Sequence, residues 1–220
     1  MSTRTAIFDM DGLLIDSEPL WYEAAVDVFT PVGIQLTPES YASSIGLRTK
    51  EFVAWWFSQY HIDPARSTFA EQEINDIVVE KIKEKGEALE GVYQVLELLQ
   101  KKGISIGLAT SSPSRLIDVV VDKLAIRKYF SAFASAEHLV FGKPHPQVYI
   151  DCALAMGSKP VDCICFEDSF YGMIAAKAAR MKCIVIPAAS MKQELRWNAA
   201  DLQLESLGDL TEPLLDSLLH

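Results

Sequence analysis

Seven polar residues that could carry out catalysis together share one placement in this sequence. Each follows an apolar run with the length and composition of a buried β-strand. They are Asp9 and Asp11 after residues 5–8, Thr110 and Ser111 after 104–109, Lys143 in a loop after a weaker run at 133–135, and Glu167 and Asp168 after 163–166. Ligands of open α/β sheets bind at the carboxyl ends of the strands. We therefore expect these side chains to meet in one cleft.

The residue types suit the transfer of a phosphoryl group. A carboxylate such as Asp9 can act as a nucleophile and divide a slow hydrolysis into two easier displacements through an aspartyl-phosphate. Because the attacking group and the phosphate are both anions, a divalent cation is needed to neutralise them. Mg²⁺ prefers oxygen ligands. Asp9 and Asp168 suit that role, with Glu167 and the backbone carbonyl of Asp11 as further candidates.

The other residues can move protons and hold phosphate. Asp11 lies two residues past Asp9, so it could protonate a leaving alkoxide and later accept a proton from water. The hydroxyl of Thr110 and the backbone amide of Ser111 could donate to phosphate oxygens, close to the N-terminus of a predicted helix. Lys143 would supply a positive charge to the phosphate and to Asp9.

A parallel sheet is needed to bring these residues together. The apolar runs alternate with helical patterns, which indicates an α/β fold whose parallel sheet is covered on both faces. Strands are predicted at 5–8, 104–109, 133–135, 163–166 and 183–186. Helices are predicted at 92–102, after Ser112 as an N-cap with Pro113 in the first helical position, and just after Asp168.

The segment 17–87 has a different pattern. It has no convincing strand, and Thr37 followed by Pro38 is typical of a helix start. We therefore predict a catalytic core of residues 1–16 and 88–220 and a helical cap of residues 17–87 that closes over the substrate and excludes water. Arg48 in the cap is predicted to bind the substrate. Glu18 is interpreted as a solvated residue at a helix start.

The composition of the chain limits the classes of molecule that it can bind. The formal net charge of −10 repels nucleic acid and anionic membranes, so we expect a small phosphorylated metabolite instead. No run approaches the ~20 apolar residues of a membrane span, and no leading segment resembles a signal peptide. We expect a cytoplasmic monomer. The four cysteines lie in apolar segments and are interpreted as buried reduced thiols.

Four motifs, in order along the chain, resemble those of the haloacid dehalogenase-like hydrolases. They are residues 8–12 (FDMDG), the apolar strand ending at Thr110, residues 142–144 (GKP) and residues 166–172 (FEDSFYG). The resemblance covers essentially the whole chain and is nearest to the β-phosphoglucomutase-type branch. Within that branch, residues 9–21, 45–48 and 143–149 look like those of bacterial phosphatases of 2-deoxyglucose 6-phosphate and hexitol phosphates. The resemblance implies a Rossmann-like core, an inserted helical cap, Mg²⁺, an aspartyl-phosphate intermediate and sugar phosphates as substrates.

Two alternatives stay open. β-Phosphoglucomutases carry a histidine where this chain has Trp21, and a Lys-Asn pair where it has Pro113 and Ser114, so hydrolysis is favoured over a mutase reaction. A non-catalytic phosphate-binding protein would be expected to lack Asp9 or Asp11, and both are present.

Overall fold

A computed structural model describes residues 5–218. Its strands are β1 (Thr5–Phe8), β2 (Ser105–Thr110), β3 (Phe130–Ser135), β4 (Cys163–Glu167), β5 (Lys182–Val185) and β6 (Leu202–Gln203). They form one parallel sheet in the order β3-β2-β1-β4-β5-β6. The predicted parallel sheet is confirmed. The two-residue strand β6 was not predicted, because it is too short to form an apolar run.

Strand β1 lies in the middle of the sheet and is buried on both faces. Phe8 pairs in register with Leu108 of β2 and Phe166 of β4, and the Phe8 and Phe166 rings stack with centroids 4.3 Å apart. Ile7 points to the opposite face, where it packs in a cluster that includes Cys165. Burial on both faces explains why this strand is continuously apolar rather than alternating. All four cysteines are buried.

Helices cover the sheet. They are α1 (Glu18–Phe29), α2 (Pro38–Ala42), α3 (Thr49–Gln59), α4 (Ser67–Lys85), α5 (Val92–Lys101), α6 (Ser114–Lys123), α7 (Gln147–Ala155), α8 (Phe170–Ala178) and α9 (Glu212–Leu218). Helices α5 and α6 contribute to the hydrophobic cluster that contains Phe8, whereas α7 and α8 contribute to the cluster on the other face. No helix within residues 5–218 combines the length and the apolar character needed to cross a membrane.

The segment between β1 and β2 begins with α1, α2, α3 and α4, which agrees with the helical character predicted for residues 17–87. Thr37 accepts a hydrogen bond from the backbone amide of Ser40, which satisfies one free donor at the start of α2. Buried apolar residues of α1, α3 and α4 continue the cluster that contains Phe8. These helices are therefore held to the sheet by hydrophobic contact as well as by their connections.

One predicted helix start is wrong. Pro113, not Ser112, occupies the N-cap position of α6, and no side chain caps that helix. The hydroxyl of Ser112 instead donates a hydrogen bond to Asp11 across the cleft, at 2.7 Å. A long-range contact has taken the side chain that the local pattern assigned to capping.

Candidate active site

A cavity opens at the carboxyl ends of β1, β2 and β4. Its volume is about 610 Å³ with its open mouth included. Five of the seven residues singled out from the sequence line it: Asp9, Asp11, Thr110, Ser111 and Asp168. The remaining two, Lys143 and Glu167, are buried, and the Lys143 ammonium donates hydrogen bonds to both Asp9 and Glu167. The structure thus brings the predicted set together around one cleft.

Lys143 is a buried cation placed between carboxylates. Its ammonium donates to Asp9 Oδ1 and Glu167 Oε1, each at 2.7 Å, and to the carbonyl of Ala109 at 3.3 Å. Burial alone would lower the pKa of Lys143, but the carboxylates of Asp9 and Glu167 outweigh it and raise the pKa. Lys143 therefore stays charged and fixes the orientation of Asp9.

Glu167 is held by protein donors on both of its oxygens. Oε1 accepts from Lys143 and from the hydroxyl of Tyr149, and Oε2 accepts from the backbone amides of Asp168 and Ser169 and from the Ser169 hydroxyl. Tyr149 was not predicted, because its place in the sequence is an ordinary apolar position of a helix. Lys143 is thus held between two acids. Asp9 accepts from it on one side, and on the other side it is held by Glu167, whose own position this network fixes.

Gly172 gives Glu167 its space. A Cβ at this position would overlap the Glu167 carboxylate. We predict that Gly172→Ala lowers the thermal midpoint, although Gly→Ala in a helix ordinarily stabilises by about 1 kcal/mol. Thermal unfolding measures this. Ala178→Gly, at the exposed last residue of the same helix, is the control and should destabilise by no more than about that amount. A Gly172→Ala protein more stable than wild type would show that this contact is unimportant.

Three buried acids form a cluster that could hold a metal ion. One oxygen each of Asp9, Glu167 and Asp168 lies within 4.8 Å of the others. Burial raises the pKa of Asp9 to about 7, with the charge of Lys143 opposing and that of Glu167 adding to the rise. Burial and the neighbouring charge of Glu167 also raise the pKa of Asp168. The single ammonium of Lys143 does not balance the three carboxylates, so the cluster keeps an excess of negative charge. A divalent cation fits this set of oxygen donors.

Asp11 is held apart from that cluster. Its Oδ1 accepts from the Ser17 hydroxyl at 2.7 Å and from the Trp21 indole at 2.9 Å, and its Oδ2 accepts from Ser112 at 2.7 Å. These bonds place the carboxylate in the cavity wall. The cluster of acids that could hold a metal ion does not include the Asp11 side chain. The sequence did not indicate any of these three donors.

Several donors at the floor of the cavity have no partner among residues 5–218. The backbone amides of Met10, Asp11 and Ser111 donate to no protein oxygen within that range. Gly12 has φ +70°, and this left-handed turn directs the chain away from β1. Free amides at the end of a strand suit an anion such as phosphate.

The upper wall of the cavity comes from the helical segment. Glu18, Trp21, Tyr41, Leu47 and Phe52 are among its residues. The interpretation of Glu18 as a solvated residue is wrong: its carboxylate lines the cavity and accepts a hydrogen bond from Tyr41 at 3.0 Å. Burial, with the charge of Asp11 adding to it, raises the pKa of Glu18 to about 8. None of the described residues that line the cavity is lysine or arginine.

Arg48 lies outside the cavity wall. Its guanidinium is buried and donates to the carbonyls of Ala136 and Leu139, at 3.0 and 2.6 Å, and pairs with Glu51 at 2.5 Å. The structure does not bring Arg48 to the other predicted site residues. In this structure the guanidinium therefore contacts protein groups and does not face the cavity where Arg48 was predicted to bind the substrate.

A family model for haloacid dehalogenase-like hydrolases matches residues 6–186, and the chain belongs to this family. Hexitol phosphatase B of Escherichia coli K12 is 41% identical over 208 residues, covering 94% of this chain and 93% of that protein. A phosphorylated carbohydrates phosphatase of Thermotoga maritima is 31% identical over 179 residues, covering 80% and 81%. The crystal structure of a β-phosphoglucomutase from Clostridium difficile superposes with a TM-score of 0.86 at 23% identity, covering 98% and 96%.

These relatives define the enzyme class. The family is one of hydrolases, and the two sequence relatives described above are phosphatases by name. The chain is accordingly a phosphatase of the haloacid dehalogenase-like family. The mutase structure, at lower identity, confirms the Rossmann-like α/β fold and nothing about the reaction.

Proposed function

We propose that this protein is a Mg²⁺-dependent phosphatase that hydrolyses sugar phosphates, or the related polyol phosphates, through a phosphoryl group carried on Asp9. The observation that carries this proposal is the buried ion pair between Asp9 and Lys143 at the floor of a cavity. Asp9 is 5% exposed yet lines that cavity, so one carboxylate oxygen is held by Lys143 while the group still faces the substrate space.

The reaction requires two displacements at phosphorus. In the first, a carboxylate oxygen of Asp9 attacks phosphorus, the bond to the sugar oxygen breaks, and Asp11 gives a proton to the leaving alkoxide. In the second, water loses a proton to Asp11 and attacks phosphorus, which releases inorganic phosphate and frees Asp9. Asp11 accepts three hydrogen bonds in the structure. Because an acid must reach the leaving oxygen, this role requires Asp11 to give up one or more of them.

Asp9, Asp168 and Glu167 are the residues that would hold Mg²⁺. When bound there, the ion supplies positive charge to the phosphate and to the carboxylates around it. Both oxygens of Glu167 are already occupied by protein donors, whereas Asp168 lines the cavity. We therefore assign Asp9 and Asp168 as the main protein ligands and Glu167 as the group that positions Lys143.

The phosphate would lie against the free amides at the ends of β1 and β2. Thr110 lines this part of the cavity, and its Oγ1 already accepts from the amide of Ser112 at 3.1 Å, so its own proton is available to a phosphate oxygen. Lys143 is not among the residues that line the cavity. The positive charge of Lys143, which was predicted to act on the phosphate, therefore acts indirectly through Asp9. Lys143 fixes the orientation of Asp9.

The rest of the cavity suits a neutral polyol. Aromatic and apolar side chains such as Trp21 and Phe52 surround the hydroxyl of Tyr41 and the carboxylate of Glu18. A second phosphate on the substrate would meet Glu18 and no cation among the lining residues that the structure describes. The mutase alternative requires the cavity to hold a sugar bisphosphate as an intermediate, so this wall favours a monophosphate and hydrolysis.

We further propose that residues 1–16 and 88–220 form the catalytic core and residues 17–87 the cap. Residues 1–4 and 219–220 of this proposed core lie outside the part of the chain that the structure describes. In this division, the core provides the floor of the cavity, where the phosphate would bind. The cap provides the wall around the leaving group. Substrate preference would then depend on cap residues such as Glu18 and Tyr41.

A panel of phosphate esters tests the reaction. The purified protein with Mg²⁺ should release inorganic phosphate from sorbitol 6-phosphate and 2-deoxyglucose 6-phosphate faster than from glucose 1,6-bisphosphate. Release should stop when the divalent ion is chelated. If no ester yields phosphate while inorganic phosphate still binds by calorimetry, the non-catalytic alternative is correct. Interconversion of phosphoglucose isomers without phosphate release would support the mutase alternative.

Removal of one acid tests the metal site. We predict that Asp168→Asn weakens Mg²⁺ binding at least ~10-fold, because the loss of a ligand should exceed the loss of an outer-shell partner. Calorimetric titration of Mg²⁺ measures this. Asp162→Asn, just before β4 and outside the acidic cluster, is the control and should bind Mg²⁺ as wild type does. Equal affinities in both variants would remove Asp168 from the ligand set.

A further inference from the structure

The loop that leads to Lys143 is held by hydrogen bonds to two side chains on the opposite side of the cleft, Arg48 and Glu51. We call this set of hydrogen bonds the grip. Residues 136–142 connect the end of β3 to Lys143. Arg48 donates to the carbonyls of Ala136 and Leu139, at 3.0 and 2.6 Å, and more distantly to that of Val140 at 3.4 Å. All three acceptors are backbone atoms of this loop. The planar guanidinium with several donors suits such a set of carbonyls.

Glu51 completes the grip. Its Oε1 accepts from Arg48 Nη2 at 2.5 Å and from the backbone amide of Gly142 at 3.2 Å. Gly142 is the residue directly before Lys143. A Cβ there would lie 2.7 Å from Arg48 Nε and 2.7 Å from Glu51 Oε2. The absence of a side chain is what lets both charged groups lie against this backbone.

These bonds connect the wall of the substrate cavity with Lys143, which positions Asp9. Gly46, Leu47 and Thr49 flank Arg48 and line the cavity. At the other end of the loop, Lys143 holds Asp9 at 2.7 Å. One short segment of the helical insertion therefore faces the leaving group on one side and grips the Lys143 loop on the other.

We propose that Arg48 and Glu51 are positioning residues, which couple the seating of the helical segment over the substrate to the placement of Lys143 against Asp9. This proposal rests on the proposed phosphatase function. The pair touches neither phosphate nor sugar. Since the donors and acceptors lie on opposite sides of the cleft, the grip exists only while the two sides are in contact. The catalytic arrangement is then complete only when the cavity is closed.

Kinetics of Arg48→Met and Glu51→Gln with two substrates test the proposal. Acetyl phosphate has no sugar, whereas sorbitol 6-phosphate fills more of the cavity. A small misplacement of a catalytic group can lower the rate on the order of 10²-fold. We expect each variant to lose kcat by a factor of that order, and by the same factor for both substrates. The matched control is Lys50→Met, which removes an exposed positive charge two residues from Arg48 and should behave as wild type.

The two variants should also act as a unit. Because Arg48 and Glu51 share one network, the double variant should be no slower than the more impaired single variant. Hydrogen exchange of the amides in 136–142, Gly142 above all, should accelerate in both single variants and not in Lys50→Met. Glu51 is partly exposed, so Glu51→Gln preserves a test if Arg48→Met does not fold.

Each outcome decides one point. A loss confined to sorbitol 6-phosphate, with a raised KM and normal turnover of acetyl phosphate, would mean that Arg48 binds substrate and would overturn the proposal. Variants that turn over both substrates like Lys50→Met would also overturn it. If wild type releases phosphate from neither substrate, the proposed function itself has failed, whereas the hydrogen-exchange result still reports on the grip.

Discussion

Asp9→Asn should abolish turnover and leave the fold intact. Without a nucleophile, kcat is expected to fall on the order of 10⁴-fold or more. Stability should not fall, because Asp9 is one of three buried carboxylates that share a single ammonium. Its pKa is raised to about 7. Above that pH, Asp9 is ionised, and its charge is less favourable in the folded chain than in the unfolded chain. The ionised carboxylate therefore lowers the free energy of unfolding.

Phosphate release and thermal unfolding at pH 8 without divalent ions measure the two effects. The midpoint of Asp9→Asn should equal or exceed that of wild type. Asp16→Asn is the control, since Asp16 is exposed in the same loop region, and it should keep full activity. Substantial phosphatase activity in Asp9→Asn would refute the nucleophile assignment.

Lys143→Met should lose activity and stability together. The ammonium is 1% exposed and neutralises Asp9 and Glu167. Removing one partner of a buried ion pair destabilises by about 3–5 kcal/mol, because the remaining charge is left without compensation. In this protein two carboxylates lose their partner at once. Asp9 also loses the contact that orients it, so kcat should fall as well.

Denaturant unfolding without divalent ions measures the loss of stability. Lys177→Met is the control, because Lys177 also pairs with an aspartate, Asp201, but is partly exposed. Its effect should be within about 1 kcal/mol of zero. Added Mg²⁺ should restore part of the stability of Lys143→Met by neutralising the same acids. If Lys143→Met unfolds like Lys177→Met, the buried cation is not essential to the cluster.

The sheet and the floor of the site could be predicted from the sequence because both are local signals. An apolar run ending in Asp9 or in Glu167 and Asp168 marks a buried strand and its carboxyl end at once, and parallel pairing then brings these ends together. The helix start at Thr37 was likewise local. In each case neighbouring residues contain all the information that is needed.

The details that were missed depend on contacts between distant segments. Ser112 donates to Asp11 over 101 positions, which no capping pattern can indicate. Arg48 reaches a loop about 90 positions away rather than the cavity. Glu18 looks like a surface residue at a helix start, yet it lies in the cavity wall because of how α1 packs over the sheet. Packing between segments that are distant in the sequence decides all three.

The most direct test of the account is to trap the phosphorylated enzyme. Wild-type protein mixed with Mg²⁺ and ³²P-labelled sugar phosphate, then quenched in acid within the first turnover, should carry label on the peptide that contains Asp9. The same peptide from Asp9→Asn should carry none. Labelled phosphate released in the first turnover without any labelled peptide would show direct attack by water and contradict the central claim.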